Sequence, residues 1–163
     1  MRAVATQAGV APMGVYNRFD GKQGLLEALY VRGFNELRDR VNSASGATAH
    51  DRLRAASGEY RAFALASPQY YRLMFEHASE VEPSEEAVLQ AYESFGALVE
   101  LVRACQDAGQ LGGDDPVGVA QQLWGAIHGA VSLELVGISF TDDPAATYAA
   151  MVDALLVGLA TNS

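Results

Sequence analysis

Cysteine occurs once in the 163 residues, at Cys105. No internal disulfide can form, and the chain reads as one suited to a reducing cytoplasm. Lysine also occurs once, at Lys22, and tryptophan once, at Trp124. No run of about 18 apolar residues is free of polar interruption, so a membrane-spanning helix is not expected. The nearest candidate, Val117–Leu133, contains Gln121, Gln122, His128 and Ser132 and is followed by Glu134. Met1 does not open a signal-peptide pattern.

The patterns of metal and enzyme chemistry are missing too. His50, His77 and His128 lack the spacing of a metal-binding pair such as H-E-x-x-H. Cys105 has no histidine near it in sequence and reads as a small buried apolar residue. The acidic pairs Asp114-Asp115 and Asp142-Asp143 each precede proline and read as helix starts rather than catalytic dyads. No glycine-rich phosphate loop occurs. The expectation is a protein that is not an enzyme and carries no cofactor and no metal.

Positive charge is scarce: 11 basic residues stand against 20 acidic ones, a net charge of −9. That balance argues against general nucleic-acid binding, but its distribution is uneven. Residues 1–40 carry Arg2, Arg18, Lys22, Arg32, Arg38 and Arg40 against four acidic residues. All the remaining acidic residues lie in the other 123 positions, with only five basic ones. A mildly positive head on an acidic body suits a segment that meets DNA while the rest is kept off it.

What is present is apolar residue at helical spacing. Half the residues are apolar, enough for a packed core. A helix is expected over about 23–41, with Leu26, Tyr30, Gly33, Leu37 and Val41 in register. The small polar run 42–46 follows as a break. The next helix spans about 49–66 and stops at Ser67-Pro68, where a new one begins with Ser67 as cap. Another starts at Pro83-Ser84-Glu85-Glu86, carries Val88, Tyr92, Phe95, Val99 and Val102, and ends near Gly109. Two more span about 116–136 and 144–160. No strand pattern and no internal repeat appears, so the fold class is all-α.

The first 22 residues are organised differently. Residues 2–8 and 12–19 read as two short helices around a turn at Gly9-Val10, because glycine accepts the positive φ that ends a helix. Val4, Ala5 and Ala8 are expected inward, with Val10 and Val15 at the crossing. Pro12 suits a first helical turn. A helix–turn–helix of this size commonly offers its second helix to the DNA major groove.

The segment AVATQAGVAPMGVYNRFDGKQGLL resembles the DNA-binding segment of the tetracycline-repressor (TetR) family of bacterial regulators. The matching positions are Val4-Ala5, Ala8-Gly9-Val10, Tyr16, Phe19, Lys22, Leu25 and Leu26. A second stretch, SPQYYRLMF with LWGAIHGAVSLEL, resembles the TetR subgroup with a Trp–His–Gly signature, here Trp124, His128 and Gly129.

The resemblance implies a DNA-binding head at 1–42, which includes the linking helix, and an effector-binding and dimerisation body at 43–163. It places Arg2, Pro12, Met13, Gly14, Tyr16, Asn17, Arg18 and Lys22 on DNA. Chemistry supports several of these. Arg18 and Lys22 can neutralise phosphates and Tyr16 can hydrogen-bond one. Arg2 can fork onto guanine, and Asn17 can read adenine or hold phosphate. The alternative is that Tyr16 and Phe19 are core and the two cations merely solvated.

An apolar effector pocket is implied in the body, with Tyr60, Phe63, Met74, Phe75, Tyr92, Phe95, Trp124 and His128 as candidates. His128, one turn from Trp124, is either a ligand contact or a hydrogen-bonded core histidine. Gly125 and Gly129 share a face that lets another helix come close. The implied homodimer uses the last two helices, with the stripe Tyr148, Met151, Val152, Leu155, Leu156 and Leu159 as its interface. The partners are then a palindromic double-stranded operator, a second copy and a small molecule, with no membrane. The family carries a further helix ahead of the position of Arg2. Hence a second expectation stands: the chain is truncated or its start is assigned too far downstream, and as written it is a dimeric small-molecule-binding protein that has lost DNA binding.

Overall fold

In the computed structural model, Thr6, Gln7, Gly9 and residues 11–161 are described, without the side chains of Pro12, Val15 and Tyr16. The expectations for Arg2, Val4, Ala5, Ala8 and Val10, and for the Tyr16 side chain, lie outside the described residues. Eight helices are bounded within them: α1 Pro12–Phe19, α2 Gly21–Ser43, α3 Ala49–Ala66, α4 Pro68–Phe75, α5 Ala78–Val81, α6 Glu85–Asp107, α7 Pro116–Leu135 and α8 Pro144–Gly158. No strand occurs among the described residues. The fold is all-α, and among the described residues no helix is long and apolar enough to cross a membrane.

Local chemistry explains the boundaries. Gly9 has φ 67° and its N–H donates to the Thr6 carbonyl at 3.2 Å. Between α1 and α2 the chain turns on two successive positive φ values, Asp20 at 50° and Gly21 at 87°. Aspartate and glycine are the residues that accept that region most readily. Thr48 caps α3 reciprocally with Asp51. Ser84, Asp115 and Asp143 accept N–H groups at the starts of α6, α7 and α8. Ser67 differs from expectation: its side chain makes no capping bond, and α4 begins on Pro68 alone. The single-turn α5 has no signature in the sequence.

The core gathers one face of every long helix, with Phe63, Leu53, Tyr71, Val102, Leu123, Val131 and Leu156 fully enclosed. Helix α2 lies against α1, α3, α4 and α6, so the linking helix is also a central element of the body. Two close approaches fix it. A Cβ at Gly24 would collide with the Phe19 carbonyl oxygen, so α1 seats on bare α2 backbone. A Cβ at Gly33 would stand 2.5 Å from Met74 Sδ, which is how α4 comes so near α2.

Half of the stripe assigned to a dimer is turned inward. Tyr148, Val152 and Leu156 are buried within the protomer, and Met151, Leu155 and Leu159 pack against the same core. The Tyr148 hydroxyl donates to the Ser57 carbonyl at 2.6 Å, which ties α8 to α3. The physical reason is that α8 is apolar nearly all round. Its large residues close the core, and its outward face is left with Ala146, Ala150, Ala154 and Val157.

Candidate functional site

The described residues present two candidate surfaces joined by α2. On α1, Met13 is 68% exposed, and Gly14, Asn17 and Arg18 are exposed with it. Lys22, in the first turn of α2, is exposed beside them. Neither Arg18 nor Lys22 has an ion-pair partner among the described residues, so both charges face solvent. The Arg18 guanidinium lies 5.9 Å from the Phe19 ring centroid, and the half-buried Phe19 takes the inward side.

Behind the head lies a cavity of about 430 Å³ between α2, α3, α4, α6 and α7. Tyr60, Met74, Phe75, Tyr92, Phe95 and Trp124, among the candidates that the family resemblance implies, line it. Phe63 and His128 do not. Phe63 is wholly enclosed in the core, and His128 sits behind the wall. Tyr92 does not belong to the core: 69% of it is exposed, on the open side of the cavity with Gln121. Sequence reasoning missed the α2 wall of Tyr30, Phe34, Leu37 and Val41. The signal was there, since so long an apolar stripe exceeds what a mere connector needs.

His128 organises the polar part of the body. Its Nδ1 lies 2.7 Å from the Tyr71 hydroxyl and 2.9 Å from that of Tyr60. Trp124 Nε1–H donates to the Tyr60 hydroxyl at 3.3 Å. Burial pushes the Tyr60 and Tyr71 hydroxyls above their ordinary pKa, so both stay protonated. Each hydroxyl also has an oxygen acceptor within reach, Tyr60 the Tyr71 hydroxyl at 3.4 Å and Tyr71 the His128 carbonyl at 3.4 Å, so Nδ1 accepts or donates according to the tautomer. Burial holds the imidazole below its ordinary value of 6.5, against a weaker opposing pull from Glu76.

Protonation would place a charge on a ring that burial has taken partly out of water. A group whose pKa falls on folding stabilises the fold above its unfolded value and loses that contribution as pH drops. The melting temperature should therefore decline as pH is lowered below about 6.5. His128→Asn, which keeps an acceptor near Nδ1 but cannot titrate, should flatten that decline. Parallel slopes for the two proteins in calorimetry would refute the lowered His128 pKa.

Two ion pairs matter for the outer surface. Arg61 grips Glu134 of α7 with two nitrogens, one at 2.8 Å, and lies over the Tyr148 ring. Arg54 grips Asp153 of α8, again with two nitrogens, one at 2.9 Å. Both arginines come from α3. Glu134 and Asp153 are the only Asp, Glu, Lys or Arg residues on α7 and α8. Among the described residues no group of three His, Cys, Asp or Glu is placed to hold a metal.

Comparison with known families settles the class. Residues 53–155 match the model described as "Tetracyclin repressor-like, C-terminal domain", and residues 1–29 match that of "Bacterial regulatory proteins, tetR family". The chain belongs to the TetR family. It is 26% identical over 160 residues to Rv0681 of Mycobacterium tuberculosis, an uncharacterised HTH-type transcriptional regulator. That match covers 98% of this chain and 71% of the relative.

Among solved structures, a protein of unknown function from Rhodococcus sp. RHA1 is 28% identical, with TM-score 0.87, over 98% of this chain and 84% of that one. A bacterial regulatory protein in the tetR family from Rhodococcus RHA1, 19% identical, shares the fold at TM-score 0.75 over 99% of this chain and 86% of that one. The fold and domains of this TetR-family chain are those of a DNA-binding transcriptional regulator.

Proposed function

We propose that this protein is a homodimeric repressor, working in the cytoplasm, that leaves a palindromic operator when a small apolar molecule enters the body cavity. The observation that carries this reading is α2. Its N-terminal end bears Lys22 and seats α1, and its middle forms one wall of the cavity. Nothing that reshapes the cavity can leave the base of the head untouched.

The joint is specific. Gln23 Nε2 donates to the Val81 carbonyl and, at 3.3 Å, to that of Glu80. The Ser84 N–H donates to Glu27 Oε1 at 2.9 Å. Hydrogen bonding from Ser84, from its side chain first and its backbone second, holds the Glu27 carboxyl below its ordinary value. Thus α5 and the start of α6 grip α2 directly below the head. An effector shifts the DNA-binding equilibrium only as far as it prefers one arrangement of these contacts. The division of labour follows: residues 1–42 read DNA and lend one α2 wall to the cavity, and residues 43–163 supply the rest of the effector site and pair with a second copy.

The test is fluorescence anisotropy with DNA flanking the protein's own gene, titrated across salt concentrations. Binding with a steep salt slope is expected. Lys22→Ala should weaken it uniformly across sequences and reduce the slope by about one per protomer. Unchanged affinity and slope would remove Lys22, and the phosphate contact assigned to it, from the interface.

A further inference from the structure

The chemistry of the cavity narrows its ligand. The wall contains no aspartate, glutamate, lysine, arginine or histidine. An ion placed there would lose its hydration and find no counter-charge, which costs far more than a few neutral contacts return. Charged molecules are therefore disfavoured whatever their shape.

The wall is not wholly apolar; apart from the exposed Tyr92 and Gln121 at its open side, its polar groups fall into two sets. Tyr60, Ser57 and Trp124 are already engaged: Tyr60 with His128, the Ser57 hydroxyl with the Leu53 carbonyl, and the Trp124 N–H with Tyr60. Tyr30 of α2 and Ser94 of α6 differ. They are only 6% and 7% exposed, both line the cavity, and neither hydroxyl has a hydrogen-bond partner among the described residues.

A buried hydroxyl without a partner is uncommon and asks for an explanation. Among the described residues, Asn35 Oδ1 is the one fully occluded side-chain atom lacking a partner. The Tyr30 and Ser94 hydroxyls therefore keep an open approach, and the open space both residues border is the cavity. Burial, with Tyr92 nearby, raises the Tyr30 pKa, so this hydroxyl stays a donor.

Resting on the reading of this cavity as the effector site, we infer that its ligand is an uncharged, mainly apolar molecule presenting a carbonyl or ether oxygen to Tyr30 and Ser94. The aromatic wall takes the hydrocarbon body, and the two hydroxyls fix its orientation. The apolar body supplies most of the affinity. The oxygen supplies discrimination, because a site built to hydrogen-bond a ligand leaves its own groups unpaired when the ligand lacks the match.

Trp124 is the only tryptophan and lines the cavity, so its emission reports occupancy directly. The probes are 4-phenylbutan-2-one, n-butylbenzene, 4-phenylbutanoate and 4-phenylbutylammonium, titrated by fluorescence and calorimetry. The ketone and the hydrocarbon should bind, and both ions should bind at least about tenfold more weakly. The double variant Tyr30→Phe/Ser94→Ala should weaken the ketone roughly fivefold and leave the hydrocarbon unchanged, which also shows the cavity intact.

An ion binding as tightly as the ketone would overturn the inference while leaving the cavity a ligand site. So would a ketone indifferent to the double variant. If no probe alters Trp124 emission or evolves heat, the effector reading fails together with the inference.

Discussion

Gly24→Ala should sharply weaken operator binding while the body stays folded. The added methyl meets the Phe19 carbonyl oxygen, a backbone atom that cannot swing aside. Relief requires α1 to move off α2, and overpacking of this kind costs about 1–3 kcal/mol. The movement displaces the whole exposed set on α1, Met13, Gly14, Asn17 and Arg18, relative to Lys22. A base pair that is no longer matched costs about 1–3 kcal/mol. A two-fold site is affected in both halves at once, so affinity should fall on the order of a hundredfold or more. Anisotropy gives the affinity, while circular dichroism and quenching of Trp124 by a cavity probe show the body unharmed. Wild-type affinity in this variant would mean that the joint at Gly24 does not position α1.

Gly129→Glu should convert the dimer to monomer. Gly125 and Gly129 have nothing within 4 Å of where a Cβ would stand, so each protomer accepts a side chain there without strain. The exposed face around them is uncharged: Gln122 and Leu133 on α7, Ala146, Ala150 and Val157 on α8. The two carboxylates of these helices are already held by Arg61 and Arg54. A chain of net charge −9 repels its own copy over most of its surface and can approach it closely through such a face. In a two-fold contact the patch meets itself, so a new glutamate meets another glutamate.

Sedimentation velocity should then show the monomer. Operator affinity should drop by about 10²–10⁴, the advantage of two linked heads. A Gly129→Glu protein that still sediments as a dimer would place the interface elsewhere.

Much of the architecture was legible in the sequence because its signals are local. Pro116 and Pro144 after aspartates, Ser84 before two glutamates, and the Ser67-Pro68 stop are each settled by neighbours within one turn. The head was legible for another reason: many positions repeat a known spacing at once.

What escaped depends on distant partners. Helix α8 offers two apolar faces, and only packing decides which closes the core; the larger side chains went inward. The sequence leaves His128 equally a ligand contact and a core residue, and only the approach of Tyr60 and Tyr71 to its Nδ1 decides between them. Ser94 passes in sequence for an ordinary polar position on an amphipathic helix. Gly24 gives no hint at all, since its neighbour arrives through a turn made of two unusual backbone conformations.

The near-contact at Gly33 acts on α2 as a fulcrum acts on a beam. Helix α4 bears on bare α2 backbone there through its Met74 side chain, and the beam extends unequally to either side. Lys22 lies about 16 Å along the axis in one direction and Val41 about 12 Å in the other. Any tilt that the cavity imposes on the shorter arm therefore reaches the nucleic-acid end enlarged by roughly a third, and in the opposite sense.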